Sequence, residues 1–349
     1  MPTYRVGIVG CGARSTAHAA GWVANEGVSL AAVADPIEER RDALGDKHDV
    51  PQEQRYPDFS DMLAQAELDF ISLSTKPELR EPAIIAAVEA GIRGILCEKP
   101  MALSLGEARR IHAACAGNGV PLVINHQKRH LTEWQRLTKM CADGEFGTIE
   151  RIDASSYGNL ASQGTHVLDM VLQFGGDVQP LWAIGQSVGW RDYVGAHAGP
   201  RFTLGQFRFP NDITAYVQMG DEAPQLLGRE DSWMRLQLRV WGTRGRGQVD
   251  LPIGTRAWRV GESEPTSWPE CWTDAENLGS AQAGLSGSVI RAAEDSSYDP
   301  PAGGIRPLYS FEMLEALCAS TETQEIVTWP LPAWDHSPMQ NLKPVDAHV

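Results

Sequence analysis

The sequence predicts two domains: an α/β domain on a parallel sheet over residues 1–126, then an α+β domain with an open, mostly antiparallel sheet over residues 127–349. Three observations predict it. The chain opens on an apolar run, Val6, Ile8 and Val9, that leads straight into the turn Gly10-Cys11-Gly12-Ala13-Arg14-Ser15. Short apolar runs then alternate with helical patterns as far as Asn125, as buried strands of a parallel sheet do. Past residue 126 strand-like runs dominate and only a few helices interrupt them.

In order, Arg5–Val9 reads as the first strand and Ser15–Glu26 as the first helix. Ser29–Ala34 is the second strand, and a charged helix follows Pro36. Tyr56-Pro57-Asp58-Phe59 reads as a short third strand, with Ser60 capping a helix through Gln65. Asp69–Ser74, Gly94–Cys97 and Val120–Asn125 complete six strands. The helix Pro82–Ala90 closes on Gly91, and Ser104-Leu105-Gly106-Glu107 is a capping box. Such an order makes a doubly wound sheet whose ligand crevice lies at the carboxyl ends of its strands. In the second domain Thr132-Glu133-Trp134-Gln135 starts a helix reaching Cys141. Strands follow at Ile149–Ser156, Trp182–Trp190, Thr203–Phe209, Ile213–Met219, Met234–Trp241 and Gly247–Leu251. Helices are expected at Gln163–Phe174, Ser286–Ala293 and Ile305–Ser320, and the Pro-rich stretch from Pro330 lies extended over the surface or a partner.

The first turn fits a dinucleotide. Gly10 lets the chain turn sharply, and Gly12 has no Cβ to keep a pyrophosphate away. Ala13, Arg14 and Ser15 then begin a helix whose free N–H groups and positive dipole end face the phosphates. Ser15 stands where the third glycine of the fingerprint falls, and a small residue there still allows close packing. Asp35 ends the second apolar run roughly 20 residues further on, where an acid binds ribose hydroxyls. An ordinary βαβ unit with a glycine turn is the plainer alternative. The acid favours NAD over NADP by repelling a 2′-phosphate. Arg40 and Arg41 keep NADP open.

Bulk properties narrow the class. With 349 residues, 42% hydrophobic and 21% charged, the chain has material for two cores. A net charge of −15 argues against nucleic-acid or anionic-membrane partners. No apolar stretch approaches the roughly 20 residues of a membrane span. The six cysteines are scattered without a C-x-x-C pair, so no metal is expected, and the reduced thiols together with the missing signal peptide pattern predict a cytoplasmic setting.

The fifth strand runs into Glu98-Lys99-Pro100. A lysine at a strand's carboxyl end can donate to a substrate hydroxyl and stabilise an alkoxide, although a surface lysine would look the same in three residues. Asn125-His126-Gln127-Lys128-Arg129-His130 reads equally as a substrate wall or a solvated linker. On the expected helix, His166, Asp169, Met170 and Gln173 share a face, and a helix N-terminus lowers the pKa of such a histidine; a satisfied core histidine is the alternative.

These elements form an ordered series: Gly-x-Gly at Gly10, Thr75-Lys76-Pro77 after strand four, Glu98-Lys99-Pro100 after strand five, Gly144-Glu145-Phe146-Gly147 before a strand, and Gly164-Thr165-His166-Val167-Leu168-Asp169. The series resembles the glucose–fructose oxidoreductase / inositol dehydrogenase / rhizopine-catabolism (Gfo/Idh/MocA) family over roughly residues 4–330. The resemblance implies a Rossmann domain with a second α+β domain, a nicotinamide cofactor (NAD, with NADP open), and hydride exchange with a hydroxyl of a sugar, inositol or related polyol. It implies Lys99 and His166 as the catalytic pair. Gly10, Gly12, Ala13, Arg14, Ser15, Asp35, Ser74, Thr75, Lys76, Pro77, Glu98 and Lys99 would face the cofactor, and Lys99, Asn125, Arg129, Ser162, Gln163 and His166 the substrate. It also implies a homodimer or homotetramer through the open sheet.

Two positions depart from the family pattern. Ser162 stands where an aspartate often precedes the histidine, and Arg80 where a histidine often follows the Thr-x-Pro loop. The first keeps open a glycoside hydrolase working by transient oxidation; a non-catalytic nucleotide-binding protein is the third reading. Trp182, Trp190, Trp233, Trp241, Trp258, Trp268 and Trp272 suit a core, an interface or a sugar-stacking wall, and Gly189–Arg201, with Tyr193 and His197, suits a lid.

Overall fold

Six short apolar runs, each followed by a helix, fold in this computed structural model into one parallel sheet. The structure describes residues 4–191, 198–224, 235–251, 253–269 and 275–343, with side chains from 278 in the last stretch. The strands are β1 (Tyr4–Val9), β2 (Val28–Ala34), β3 (Arg55–Tyr56), β4 (Phe70–Leu73), β5 (Gly94–Cys97) and β6 (Leu122–Ile124). They lie in the order β3-β2-β1-β4-β5-β6, the doubly wound arrangement. The helices between them are α1 (Ser15–Val23), α2 (Glu38–Lys47), α3 (Phe59–Gln65), α4 (Arg80–Glu89) and α5 (Leu105–Gly117). The third strand is shorter than the sequence suggests, because Pro57 has no N–H to continue the ladder. The cap of α3 is Asp58, whose carboxylate accepts the Ser60 N–H at 2.7 Å; Ser60 itself is inside the helix.

The remaining elements are α6 (Thr132–Ala142), β7 (Ile149–Ser156), α7 (Thr165–Phe174), β8 (Trp182–Arg191), β9 (Gly199–Arg208), β10 (Thr214–Gly220), β11 (Leu236–Gly242), β12 (Gly245–Leu251), β13 (Gly254–Arg259), β14 (Thr266–Trp268), α8 (Ala275–Glu294), α9 (Arg306–Thr323), β15 (Val327–Thr328) and α10 (Pro338–Asn341). The second sheet has the order β14-β13-β12-β11-β7-β10-β9-β8-β15, and its one parallel pair is β10 with β7. The expected strands are present. The short β13, β14 and β15 carry little periodicity and escape the sequence reading. The expected helix Gln163–Phe174 divides: Leu160–Gly164 is a wide π-type turn capped by Asn159, and the α-helix starts at Thr165. Leu131, not Thr132, sits at the N-cap of α6.

Only the two ends of the expected lid lie within the described residues. Gly189–Arg191 and Gly199–Arg201 are paired ends of β8 and β9, with Arg191 opposite Gly199; Tyr193 and His197 lie outside the described residues. Trp233, Trp272 and Cys271 also lie outside them. Trp182, Trp190, Trp241, Trp258 and Trp268 are half-buried, and Arg246 lies over Trp258 at 4.2 Å from the ring centre. In the C-terminal stretch Leu331 and Ser337 are buried, and the Trp334 carbonyl accepts the Gly106 N–H at 2.8 Å. No described helix is long and apolar enough to cross a membrane.

The compact units do not follow one cut in the chain. The first comprises Met1–Leu103, Glu107–His130 and Leu278–Leu308; the second comprises Ser104–Gly106, Leu131–Asn277 and Tyr309–Val349. The return of residues 278–308 has a packing cause. Leu285, Val289 and Ile290 of α8 join Val6, Ile8, Trp22, Phe70 and Leu96 in one core cluster. Ser286 Oγ donates to the Gly21 carbonyl at 2.8 Å, and the Asn25 amide donates to Ser286 Oγ at 2.9 Å. Trp22 stacks on Phe70 with ring centres 5.5 Å apart. Leu285→Ala is therefore expected to destabilise the first unit by about 2–5 kcal/mol, the cost of an unfilled core cavity. Denaturant unfolding of the full chain measures it; a loss well under 1 kcal/mol would show that α8 does not belong to this core.

Candidate active site

The residues singled out in the first half of the chain gather at one edge of the first sheet. Gly10 follows β1, Asp35 follows β2, Ser74 and Thr75 follow β4, Glu98 and Lys99 follow β5, and Asn125 follows β6. This is the carboxyl edge, where a doubly wound sheet binds ligands.

The glycine turn has two different reasons for its glycines. Gly10 has φ +85°, and a Cβ there would stand 3.1 Å from the Ser74 carbonyl carbon and oxygen. Gly12 has no such constraint: a Cβ on it would meet nothing within 4 Å. That space suits a group approaching the backbone closely. Ser15 closes the turn, its hydroxyl donating to the Gly12 carbonyl at 2.6 Å. No side chain caps the first turn of α1 and no acid sits in it, which suits a phosphate at that helix end.

Asp35 binds this turn to the second strand. Its Oδ2 accepts the Cys11 N–H at 2.7 Å and its Oδ1 accepts the Ile37 N–H at 2.8 Å. Each oxygen keeps a further lone pair, so the carboxylate can still accept from two hydroxyls. Arg41 is held by the Asp35 carbonyl at 3.1 Å and lies 3.9 Å from Asp42, whereas Arg40 is exposed. Across from them the Ser74 hydroxyl donates to the Gly10 carbonyl. The buried Thr75 hydroxyl has no partner among the described residues, a donor and acceptor left for a ligand. Lys76 is exposed and Pro77 buried at the start of the next helical turn.

Beneath the edge lies a polar network that the sequence reading missed. Glu98 is buried, yet its carboxyl is held well below the usual carboxylate range. Burial opposes ionisation, but the hydrogen bond and charge of His18, the charge of Lys99 and the Asn125 amide outweigh it. Glu98 Oε1 lies 3.1 Å from His18 Nε2 and accepts from Asn125 Nδ2 at 2.6 Å. Its Oε2 accepts the Lys99 N–H at 3.1 Å. On the other side of the ring, His18 Nδ1 lies 2.7 Å from Ser72 Oγ. The signal for His18 was present: Ser15, His18, Ala19 and Trp22 recur at i, i+3, i+4 and i+7, the buried stripe of α1.

Lys99 is 9% exposed, and its ammonium titrates at about 8. Burial lowers it first, Glu98 raises it, and the charges of Arg14 and Arg80 lower it further. Lys128 is buried nearby in the short 3-10 turn Gln127–His130, and burial with the charge of Lys99 pushes it down to about 7. Arg129 of the same turn is also buried. Arg80 is a brace: it donates to the Thr75 carbonyl at 2.7 Å and to the Pro100 carbonyl, joining the loops after β4 and β5. It therefore acts on the protein's own backbone at the start of α4.

In the second unit, Ser162 and Gln163 belong to the π-type turn and His166 to the first turn of α7. The Asn159 side chain accepts the Ser162 N–H at 2.9 Å, and Thr165 donates to the Ser162 carbonyl at 2.9 Å. His166 and Asp169, one turn apart, are both buried.

A parallel sheet with a nucleotide-type turn and a buried lysine at its carboxyl edge defines an NAD-binding Rossmann class. Residues 4–126 match the model of an oxidoreductase family with an NAD-binding Rossmann fold, Gfo/Idh/MocA. A D-apiose dehydrogenase of Paraburkholderia graminis is 32% identical over 145 residues, 42% of this chain and 38% of that relative's length. An inositol 2-dehydrogenase of Corynebacterium glutamicum is 28% identical over 344 residues, covering 87% of this chain and 96% of the relative. A solved oxidoreductase from Agrobacterium radiobacter, in complex with NAD+, L-tartaric acid and magnesium, shares the fold with a TM-score of 0.80 at 18% identity, over 93% of this chain and 98% of that one.

Proposed function

We propose that this chain is an NAD-dependent dehydrogenase exchanging hydride with a hydroxyl-bearing carbon of a sugar, an inositol or a related polyol. The observation that carries the reading is a buried ammonium, Lys99, at the same sheet edge as the open glycine turn and Asp35. The sugar and polyol dehydrogenases among its relatives support the substrate class.

Gly12 through Ser15 would hold the diphosphate, Asp35 a ribose, and Ser74, Thr75, Lys76, Pro77 and Glu98 would flank the rest of the nucleotide. Bound NAD supplies the hydride acceptor. Lys99 donates a hydrogen bond to the substrate oxygen and stabilises the charge that grows on it as the C–H bond breaks. His166 takes the hydroxyl proton in oxidation and returns it in reduction. Asn125, Arg129, Ser162 and Gln163 orient the remaining hydroxyls. Asp35 sets the nucleotide: a 2′-phosphate would face its charge, and Arg41 is already committed to the Asp35 carbonyl.

The reading extends to a homodimer or homotetramer. Ile184, Leu204 and Tyr216 share one face of the second sheet and are each 40–42% exposed. Apolar groups grouped this way are typically covered by a second protein surface.

Three outcomes are expected. With a panel of sugars, inositols and sugar acids, nicotinamide absorbance should reveal turnover that Lys99→Ala or His166→Ala reduces about 10²–10⁴-fold. The Lys99 contribution requires the protonated amine, so activity should decline as pH rises through about 8. Wild-type turnover unchanged in both variants would defeat the catalytic assignment. NAD should show a Michaelis constant at least about tenfold below that of NADP, a difference of about 1.4 kcal/mol; a reversed preference would remove Asp35 from the nucleotide site. Sedimentation should show an oligomer that Leu204→Glu dissociates, and a monomeric wild type would end that part of the reading.

A further inference from the structure

His18 is fully buried, lies in the middle of α1, and is not itself among the residues assigned above to cofactor or substrate. Its ring nevertheless spans two strands of the sheet. Nδ1 lies 2.7 Å from Ser72 Oγ on β4, and Nε2 lies 3.1 Å from Glu98 Oε1 just past β5. An ionised carboxylate only accepts, so Nε2 carries the proton and donates to Glu98. On the other side of the ring Nδ1 is hydrogen-bonded to the Ser72 hydroxyl, which fixes the orientation of the imidazole. The Asn125 amide, 3.1 Å from Nε2, donates to the same carboxylate oxygen. The other oxygen of Glu98 holds the backbone N–H of Lys99. The carboxylate is thus clamped on both oxygens, and the clamp ends on the lysine.

We propose that His18 is a positioning residue for Lys99: by donating to Glu98 it keeps that buried carboxyl ionised and fixed, so that its charge holds the Lys99 ammonium in its protonated form. The inference rests on the reading of Lys99 given above, but its physical core concerns this chain alone. Charged groups that act on Lys99 include Glu98, Arg14, Arg80 and Lys128. Glu98 is the anion among them; the other three are cations and favour the neutral amine. A buried carboxyl stripped of a donor takes up a proton rather than remain charged. Loss of His18 therefore weakens the counter-charge that Glu98 supplies to Lys99, while the cations Arg14, Arg80 and Lys128 remain. The ionisation of Lys99 moves to lower pH, and less ammonium is present near neutrality.

The test reads Lys99 directly in the cofactor-free full chain. The rate of acylation of Lys99 by an amine-reactive reagent is followed against pH by mass spectrometry of the peptide that contains it, since only the neutral amine reacts. The wild-type midpoint is expected near 8. His18→Leu should lower it by about one pH unit, a tenfold change in proton concentration. His18→Gln, which keeps an amide donor toward Glu98, should restore most of the difference. Ser72→Ala, which removes only the distal anchor of the ring, should shift the midpoint in the same direction by less. Ser72→Ala also keeps the test open should His18→Leu fail to fold. A midpoint unmoved in either variant, with the circular dichroism and melt of a folded chain, overturns the proposal. A merely structural role for His18 would lower the melting temperature and leave the midpoint in place. A midpoint that moves in a chain showing no dehydrogenase turnover upholds this inference and removes only the proposed reaction.

Discussion

The site depends on one buried anion. Glu98 stands at the end of β5, out of water, in its charged form. A carboxylate can remain so only where donors replace its hydration. The protein supplies three: His18 from α1, itself held by Ser72 on β4, the Lys99 backbone beyond β5, and Asn125 beyond β6. Each donor also ties its own element to the same point. The carboxyl edge of the sheet is thereby held at a fixed geometry by electrostatics as well as by its ladders.

The balance of buried charge at that edge is unequal. Lys99, Lys128 and Arg80 are buried cations, and burial lowers the pKa of each. Glu98 supports the protonated form of Lys99, whereas Arg14 and Arg80 oppose it. An excess of poorly hydrated positive charge is unfavourable when nothing fills the site and favourable when negative charge develops there. Such an environment suits the alkoxide stabilisation proposed for Lys99. It also explains why Arg80 does not need to reach a ligand. By holding the Thr75 and Pro100 carbonyls it fixes both loops that border the lysine, and the two acceptors offset the cost of a cation at the start of α4.

Much of this was legible in the sequence, for reasons that are local. The strands of the first sheet are buried on both faces, so they read as apolar runs, and their ends locate Gly10, Asp35, Ser74, Glu98 and Asn125 without any tertiary information. What escaped depends on contacts far apart in the chain. His18 looks like one more polar residue on a helix until Glu98, 80 positions later, is seen beside it. The return of α8 to the first unit is written in the fit of Leu285 and Val289 against Val6 and Trp22, which no local pattern encodes. The cap of α3 was misread within a single turn, because Asp58 and Ser60 are both good caps and only backbone geometry chooses between them.

The glycine turn shows how one motif joins two unrelated constraints. Gly10 is required by the chain itself: its positive φ and the nearby Ser74 carbonyl exclude a side chain whether or not anything is bound. Gly12 is required by nothing in the chain, since a Cβ there would project into open space. A larger residue at position 12 would cost the fold little, so folding alone gives no reason for glycine there. The open space there is what the proposed approach of a dinucleotide to the backbone requires. Ser15, by contrast, has taken over a glycine position by turning its hydroxyl back onto the Gly12 carbonyl, so the turn closes on itself and leaves that approach clear.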